Sequence, residues 1–419
     1  MFVAVATWLL QSAVVVRAGT DFKAGLASID ITPPVGWRLA GGFTERISTN
    51  KLSPLMARAL VLQQGRERAA IVVCDIGEIE AEFSIRTRQR ASQRTGIPPG
   101  NILLAATQTP NGALYFGAWR QHLHISAVGR DGRDLHEGVD YAAILAEQIA
   151  DVIGRASRAA QPVRIEAGRA PEPVLAPNGE SAGAKRDGEF SLMLLLNEKG
   201  NRALGIFSAV GLPAGMARGR SISAGYSWPL ELALGKSLGA EFVAMSGVGP
   251  GAATSPGVKT EDVASESARW AKALSQTLLN TIPSLKPVKP SLAVTSGRVN
   301  VTLPACSPQQ VAAAREKLPR VGTGKLSGDE EREVCRILDQ QQLGRAEMSL
   351  EVQAIRVGAD LVIVGLPGEP SAAVGLAIKK ASPFKHTLVL THCNDATGLP
   401  EVAAESVRRA AVELLQQLK

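Results

Sequence analysis

The sequence predicts an α/β fold in which mixed β-sheets are covered by helices. Short apolar segments rich in Val, Ile and Leu alternate with longer segments whose apolar residues recur at helical spacing. Hydrophobic residues make up 45% of the 419 residues and charged residues 20%, which supplies a large core and excludes a disordered chain. Part of the strand and helix order also occurs twice, and an internal duplication is one interpretation of this.

Many of the predicted elements are bounded by a turn or a cap. Pro33-Pro34-Val35-Gly36 stops the first strand, the polar turn 64–67 separates the next two, and Gly96 with Pro98 ends the first helix. Strands are predicted at 22–31, 57–63, 69–75, 101–106, 163–167, 192–196, 203–210, 241–246, 352–357, 360–365 and 387–390. Helices are predicted at 78–95, 141–160, 230–238, 261–281, 371–380 and 401–418, and residues 311–342 are mostly helical. The proline-interrupted segment 283–290 is the predicted internal boundary.

The repeated order puts two Gly-Glu pairs in equivalent places. Residues 57–109 run strand, turn, strand, Gly77-Glu78, helix, strand. Residues 352–393 run strand, turn, strand, Gly368-Glu369, helix, strand. Ligand sites of α/β proteins usually lie in loops at the carboxyl ends of strands, so two similar units would bring these loops to one region.

The N-terminus has the pattern of an export signal over residues 1–18. Phe2–Val16 is almost wholly apolar but short for a bilayer span, and the small residues Ala18 and Gly19 suit cleavage. An uncleaved anchor and a buried first strand are the alternatives. An exported mature chain, 19–419, could keep a disulfide, for which Cys306 and Cys335 are the favoured pair.

Composition and motifs exclude several function classes. The net charge of +7 is mild for this length and forms no long basic block, so no nucleic-acid partner and at most peripheral membrane contact are expected. Aromatic residues make up only 4%, which argues against surfaces that stack sugars or bases. Neither a P-loop nor a Gly-x-Ser-x-Gly elbow is present.

Glu369 and His392 are the candidate catalytic residues that the local sequence indicates. Glu369 follows a buried strand and lies between Pro367 and Pro370, which fixes its backbone and suits a ligand or hydrogen-bond acceptor in a pocket. An acid stabilised at a helix N-terminus is the alternative. His392 ends a strand and could act as a general base, with a structural or exposed histidine as the alternative.

A histidine pair is the candidate for a metal site. His122-Leu123-His124 would place two imidazoles on one face of a strand, with His136, Asp131 or Asp134 nearby. The surrounding glycine and polar residues also fit an exposed loop.

In order and spacing, several segments resemble the neutral/alkaline (non-lysosomal) ceramidase family, specifically its N-terminal catalytic-type domain. The matching segments are Ala24-Gly25, Asp30-Ile31-Thr32-Pro33-Pro34-Val35-Gly36, 57–62, 95–104, 351–356 and Val364-Gly365-Leu366-Pro367-Gly368-Glu369-Pro370. The resemblance runs from about residue 22 to the C-terminus and implies that fold for residues 19–419. The family's C-terminal immunoglobulin-like domain is not expected.

The resemblance implies a zinc amidase that cuts the N-acyl bond of ceramide with metal-activated water. In that family, histidines from two loops, a glutamate and a tyrosine hold the metal. The positions that correspond to this pocket are Gln108, Thr109, Pro110, Asn111, Leu212, Gly225 and Glu369. Glu369 alone matches a metal ligand, because Gln108 to Asn111 replace the first histidine loop and Leu212 replaces the next histidine. No metal or other cofactor is therefore expected.

Three hypotheses remain open from the sequence. The favoured one is an exported, diverged and non-catalytic relative that binds a lipid or other small molecule in the inherited pocket, or a protein partner on its surface. A second is an amide hydrolase with altered residues. Its candidates are His392 as base, Glu369 as acid or base, Thr109 or Ser223 as nucleophile, and Gln108 or Asn111 as oxyanion donors. A third is a relocated zinc site of His122, His124 and Glu369.

Overall fold

The computed structural model describes residues 21–173, 187–212, 218–251, 262–302, 305–344, 347–395 and 401–419. The predicted export signal, residues 1–18, lies outside these ranges. Within them the chain forms two mixed sheets and a set of covering helices, as the sequence predicts.

The larger sheet has nine strands in the described ranges. They are β1 (Phe22–Asp30), β3 (Met56–Gln64), β4 (Glu67–Cys74), β5 (Ile102–Ala106), β6 (Gln161–Pro171), β7 (Glu189–Asn197), β8 (Ala203–Val210), β10 (Val243–Val248) and β11 (Lys286–Val288). The order is β10-β8-β7-β6-β1-β3-β4-β5, and β11 pairs beside β6. The pairs β4–β5 and β8–β10 are parallel, while the others are antiparallel. Two short strands, β2 (Asn50–Lys51) and β9 (Ser221–Ile222), pair separately.

The smaller sheet has four strands in the order β12-β13-β14-β15. They are β12 (Pro290–Thr302), β13 (Glu347–Gly358), β14 (Leu361–Gly365) and β15 (His386–Leu390), and only β14 and β15 pair in parallel. The predicted boundary, 283–290, is the segment where the chain leaves the larger sheet through β11 and enters the smaller one at Pro290.

Most of the described helices cover the outer faces of the two sheets, and three pack on one another instead. They are α1 (Ala81–Thr95), α2 (Gly117–Asp131), α3 (Tyr141–Arg158), α4 (Ser227–Leu238), α5 (Val263–Thr281), α6 (Pro308–Lys317), α7 (Gly328–Leu343), α8 (Ala372–Ala381) and α9 (Glu401–Gln417). The predicted helical stretch 311–342 is two helices, each opened by a Ser capping box.

The prediction of a strand or exposed loop at His122-Leu123-His124 is wrong, because these residues lie in helix α2. Residues two apart on a helix point to different faces, so the two imidazoles do not form a pair. The pattern was hard to recognise because α2 has no side-chain N-cap hydrogen bond and begins at Gly117.

The core is layered between helices and sheets. Successive residues of one strand, such as Leu103 and Leu104 of β5, enter different apolar clusters. Leu104 packs toward α1 and α3, while Leu103 packs between the two sheets beside Ile363 and Leu388. The far face of the smaller sheet packs on α9. Strands buried on both faces explain the unbroken apolar runs in the sequence.

The repeated order of elements in residues 57–109 and 352–393 corresponds to a repeated topology. In both units a strand pairs antiparallel with the next, a helix follows, and the last strand returns parallel: β3-β4-α1-β5 and β13-β14-α8-β15. The structure adds a third unit with the same order, β7-β8-α4-β10. Each unit therefore directs the carboxyl ends of two parallel strands the same way.

Two local contacts fix the helices on this frame. Helix α3 crosses β1 so closely that a Cβ on Gly25 would lie 2.0 Å from the carbonyl oxygen of Ala156. Helix α1 is joined to β13 by a buried bidentate ion pair, in which Arg88 donates to both carboxylate oxygens of Glu351 at 2.9 and 2.7 Å.

The favoured disulfide is not formed in this structure, where Cys74, Cys306, Cys335 and Cys393 are all free thiols. Cys74 is a buried core residue on β4. Cys306 and Cys335 nevertheless belong to the same apolar cluster, which packs α2 against α6 and α7.

Candidate functional site

Loops from all three repeated units meet at the carboxyl ends of their parallel strands. The amide of Ala106, at the end of β5, donates to the carbonyl of His392 at 3.2 Å. The amide of Gly251, after β10, donates to the carbonyl of Pro370 at 3.0 Å, and that of Gly368 donates to the carbonyl of Asp395 at 2.9 Å. The expectation that strand-end loops of the two units would come together is confirmed.

Four carboxylates approach one another where these loops meet. Glu78 follows β4, Glu369 follows β14, Asp395 follows β15, and Asp339 lies on α7. Burial raises the pKa of Glu78 to about 7, and the charges of Glu369, Asp339 and Asp395 contribute in that order. Burial also raises the pKa of Asp339, whose carboxylate accepts from the amide of Ala118 at the start of α2.

Glu78, Glu369, Asp395 and Asp339 are together called the acidic recess below, and of these Glu78 is exposed to water. Its side chain is exposed, yet the surrounding protein and the neighbouring carboxylates strongly disfavour its charge. The hydroxyl of Tyr115 holds the backbone here by donating to the carbonyl of Glu78 at 2.9 Å. A carboxyl group with this pKa can give or take a proton at neutral pH.

The polar side chains at the pocket positions after β5 form hydrogen bonds within the protein. The Thr109 hydroxyl donates to the carbonyl of Ser223 at 2.6 Å. Asn111 Oδ1 accepts from Arg46 Nη1 at 3.0 Å and from the amide of Gly219 at 3.2 Å. Burial, followed by the nearby charge of Arg218, lowers the pKa of Arg46 to about 10.

The remaining pocket positions serve the backbone or fill space. Gln108 has φ 58° and Gly225 has φ 61°, so both loops turn through left-handed residues. Pro110 packs against Gly41, where a Cβ would lie 2.4 Å from the proline ring. Leu212 is buried, and its carbonyl accepts from the Tyr226 hydroxyl at 3.3 Å.

His392 does not occupy the position of a working base. Its ring is 2% exposed, and neither ring nitrogen has a hydrogen-bond partner in the described ranges. Burial lowers its pKa to about 3, which leaves the imidazole neutral and a poor proton acceptor. The predicted contact of His392 with Thr109 or Ser223 is therefore absent among the described residues, and that version of the altered hydrolase is not supported.

Two cavities in the described structure lie away from the strand-end loops. One of about 450 Å³ is at the amino ends of β8 and β10, where Leu26, Leu204 and Val243 line it. The other, of about 470 Å³, lies beside Tyr115 and Tyr141. Neither is lined by Glu369, so neither corresponds to the meeting point of the strand-end loops.

Comparison with known proteins establishes the fold. No protein-family model matches the chain, and no curated protein matches it in sequence. A crystal structure of neutral ceramidase from Pseudomonas aeruginosa superposes with a TM-score of 0.67 and 17% identity, covering 95% of this chain and 74% of that chain. A ceramidase complexed with C2 gives a TM-score of 0.64 and 15% identity, covering 94% and 72%. The fold is ceramidase-like.

Among the described residues, Glu369 does not belong to any group of three potential metal ligands. In the part of the chain that the structure describes, one group of three potential ligands has its ligand atoms within 4.8 Å: His124, Asp134 and Glu137. The relocated site of His122, His124 and Glu369 is therefore not formed. His124 bonds Asp134 at 2.9 Å instead, and His122 stacks on Trp119 with ring centroids 5.5 Å apart.

The group around His124 is an ion-pair network rather than a metal centre. The buried Arg38 pairs with Asp134 at 2.6 Å and with Glu137 at 3.2 Å, and Arg120 also pairs with Glu137. Asp134 also accepts from the amide of His136 at 3.0 Å. These donors occupy and neutralise the carboxylates that a cation would need.

The sequence interpretation missed three residues of the acidic recess. Glu78 could have been found, because the repeated order of elements puts Gly77-Glu78 in the place equivalent to Gly368-Glu369. Asp395 lies within the strand-end loop that was singled out for His392. Asp339 had no such indication, since α7 reaches the recess only through packing of α2 and α7.

Proposed function

We propose that this protein is a diverged, non-catalytic member of the ceramidase-like fold that binds a small molecule or lipid carrying a cationic group. The single observation that carries this proposal is the convergence of Glu78, Glu369, Asp395 and Asp339 at the strand ends. No described arginine or lysine contributes to the charges that act on Glu78. A primary ammonium would place a positive charge beside Glu78 and could donate hydrogen bonds to its carboxylate.

Loss of the zinc ligands supports a role in binding rather than the inherited amidase chemistry. Glutamine and leucine stand at positions 108 and 212, where the resemblance expects histidines. One carboxylate is too few for tight zinc binding. Export through the segment 1–18 and at most peripheral membrane contact remain part of the proposal. In the described residues, no helix is long and apolar enough to span a bilayer.

Binding of octylamine, compared with octanoate of the same chain length, tests the proposal by calorimetry. We expect octylamine to bind, and we expect Glu369→Gln to weaken it at least tenfold because one charge partner is lost. Glu82→Gln, an exposed acid in the first turn of α1, is the matched control and should leave binding unchanged. Equal binding of octanoate, or an affinity for octylamine that ignores Glu369, would refute the cationic ligand.

Metal analysis separates this proposal from a surviving zinc enzyme. After dialysis against zinc, the protein should retain well under one zinc per chain, and Glu369→Ala should not change the amount. About one zinc per chain that disappears in Glu369→Ala would revive a metal hydrolase.

A second candidate is an amide hydrolase that uses Glu78 as its general acid or base. The specific observation is that Glu78 is accessible and has a pKa of about 7. Hydrolysis of an N-acyl amide that rises and falls around pH 7, and that is lost in Glu78→Gln, would favour this candidate over a binding protein.

A further inference from the structure

We propose that Cys306 and Cys335 are a thiol pair that closes to a disulfide under oxidising conditions and ties the segment before α6 to helix α7. This inference stands apart from the proposed ligand and does not depend on it.

The packing of the four cysteines selects this pair. Cys74 lies in the cluster between the larger sheet and its helices, and Cys393 lies in the cluster between the two sheets. Cys335 belongs to the cluster that holds α2, α6 and α7 together, and the partly buried Cys306 packs against that same cluster. Both side chains are therefore already on the same side of the molecule before any bond forms.

Cys306 is the more accessible thiol of the pair. Its side chain is half-buried, and its Sγ donates to Gln340 Oε1 at 3.3 Å. Arg336 donates to the same Gln340 oxygen at 3.0 Å, and its guanidinium interacts with the Cys306 thiol. Cys306 is therefore the thiol that a small disulfide reaches first, because it is the more exposed of the two. Cys335 is 6% exposed and precedes Arg336 on the same turn of α7.

The reaction with a small disulfide such as oxidised glutathione balances in two exchange steps. The Cys306 thiolate attacks one glutathione sulfur, which forms a mixed disulfide and releases one glutathione thiolate. The Cys335 thiolate then attacks Cys306 Sγ, which forms the protein disulfide and releases the second glutathione. Two electrons pass to glutathione, and the two thiol protons end on glutathione or solvent.

The second step should be the slow one. Burial raises the pKa of Cys335 to about 12, and the charges of Asp339 and Glu331 add to the effect. The thiolate that attacks is therefore scarce at neutral pH, so closure should accelerate as the pH rises.

The bond would fix a helix that reaches the acidic recess. Asp339 lies one turn after Cys335 on α7, accepts from the amide of Ala118, and acts on the charge of Glu78. A covalent tie from Cys306 to Cys335 would restrain that turn against the segment that enters α6.

Peptide mapping without reduction tests the pair directly. The reduced full-length protein is incubated with oxidised glutathione at pH 8, and its remaining thiols are counted after denaturation. We expect two of the four thiols to disappear and the peptides that contain Cys306 and Cys335 to be linked. Cys335→Ser should keep a stable glutathione adduct on Cys306, with Cys335→Ala as a second variant, and Cys74→Ser should still form the link.

Three outcomes would overturn the inference. All four thiols could survive in the wild type, or the wild type could retain glutathione on Cys306 as fully as Cys335→Ser does. Alternatively, a different pair of peptides could be linked. Each outcome would show that Cys306 and Cys335 do not close to a disulfide when an oxidant is supplied.

Discussion

Protonation of the buried His392 should make this fold sensitive to acid. The ordinary histidine pKa of 6.5 applies to the unfolded chain, whereas burial lowers it to about 3 in the folded protein. Between these values the unfolded chain binds the proton and the folded protein does not, so stability falls as the pH falls. From pH 7.5 to pH 5, this difference amounts to about 2 kcal/mol of unfolding free energy.

His392→Asn is the variant that isolates this contribution. The residue has φ 54°, and asparagine tolerates the left-handed region better than most side chains. The smaller side chain should lower the free energy of unfolding at every pH. Between pH 7.5 and pH 5, however, the variant should lose less unfolding free energy than the wild type, because the buried imidazole is gone. Urea unfolding at pH 7.5 and pH 5 measures both effects, because other titrating groups are common to the two proteins.

If the unfolding free energy of His392→Asn changed with pH as steeply as that of the wild type, this reasoning would be refuted. His122→Asn is the matched control, since His122 is only half-buried and its pKa is lowered by burial alone. Its effect on the slope should be smaller than that of His392→Asn. If His122→Asn flattened the slope more than His392→Asn did, the buried ring would not be the acid-sensitive group.

Three further changes test the packing and the recess. Glu351→Ala should cost about 3–5 kcal/mol by urea unfolding because it leaves Arg88 buried and unpaired, and a double change of both residues to Met should recover most of that loss. Gly25→Ala should cost about 3 kcal/mol by the same assay because its Cβ meets a helix carbonyl, whereas Gly100→Ala, which has open space, should be near neutral. Octylamine affinity should rise from pH 6 to pH 8 as Glu78 ionises, and Glu78→Gln should abolish that rise; a rise that persists would assign it to another group.

The strands and helices could be predicted because they are encoded locally. An unbroken apolar run such as 102–106 packs into two core layers, one on each face of the strand. Its burial can therefore be predicted without knowing which elements pack against it. Caps and turns such as Gly96 then set the ends of the elements within a few residues. Helix α2 was missed because its only capping signal is the C-terminal glycine, Gly132.

The candidate site was predictable only as a region. The repeated Gly-Glu pairs of residues 77–78 and 368–369 correctly indicated that strand-end loops would meet, because parallel strands share a direction. The roles of His392 and Thr109 could not be read in the same way. A histidine at a strand end can face solvent or core, and only the packed structure shows this ring buried with no hydrogen-bond partner among the described residues.

The sequence by itself determined the α/β class and the strand order within each unit. These depend on periodicity and on residue identity, which are local properties of the chain. Only the tertiary structure decided that Asp339 joins Glu78 and Glu369, that His124 pairs with Asp134, and that two cysteines share one cluster. These contacts connect residues far apart in the chain, and their charges, desolvation and packing arise only when the layers come together.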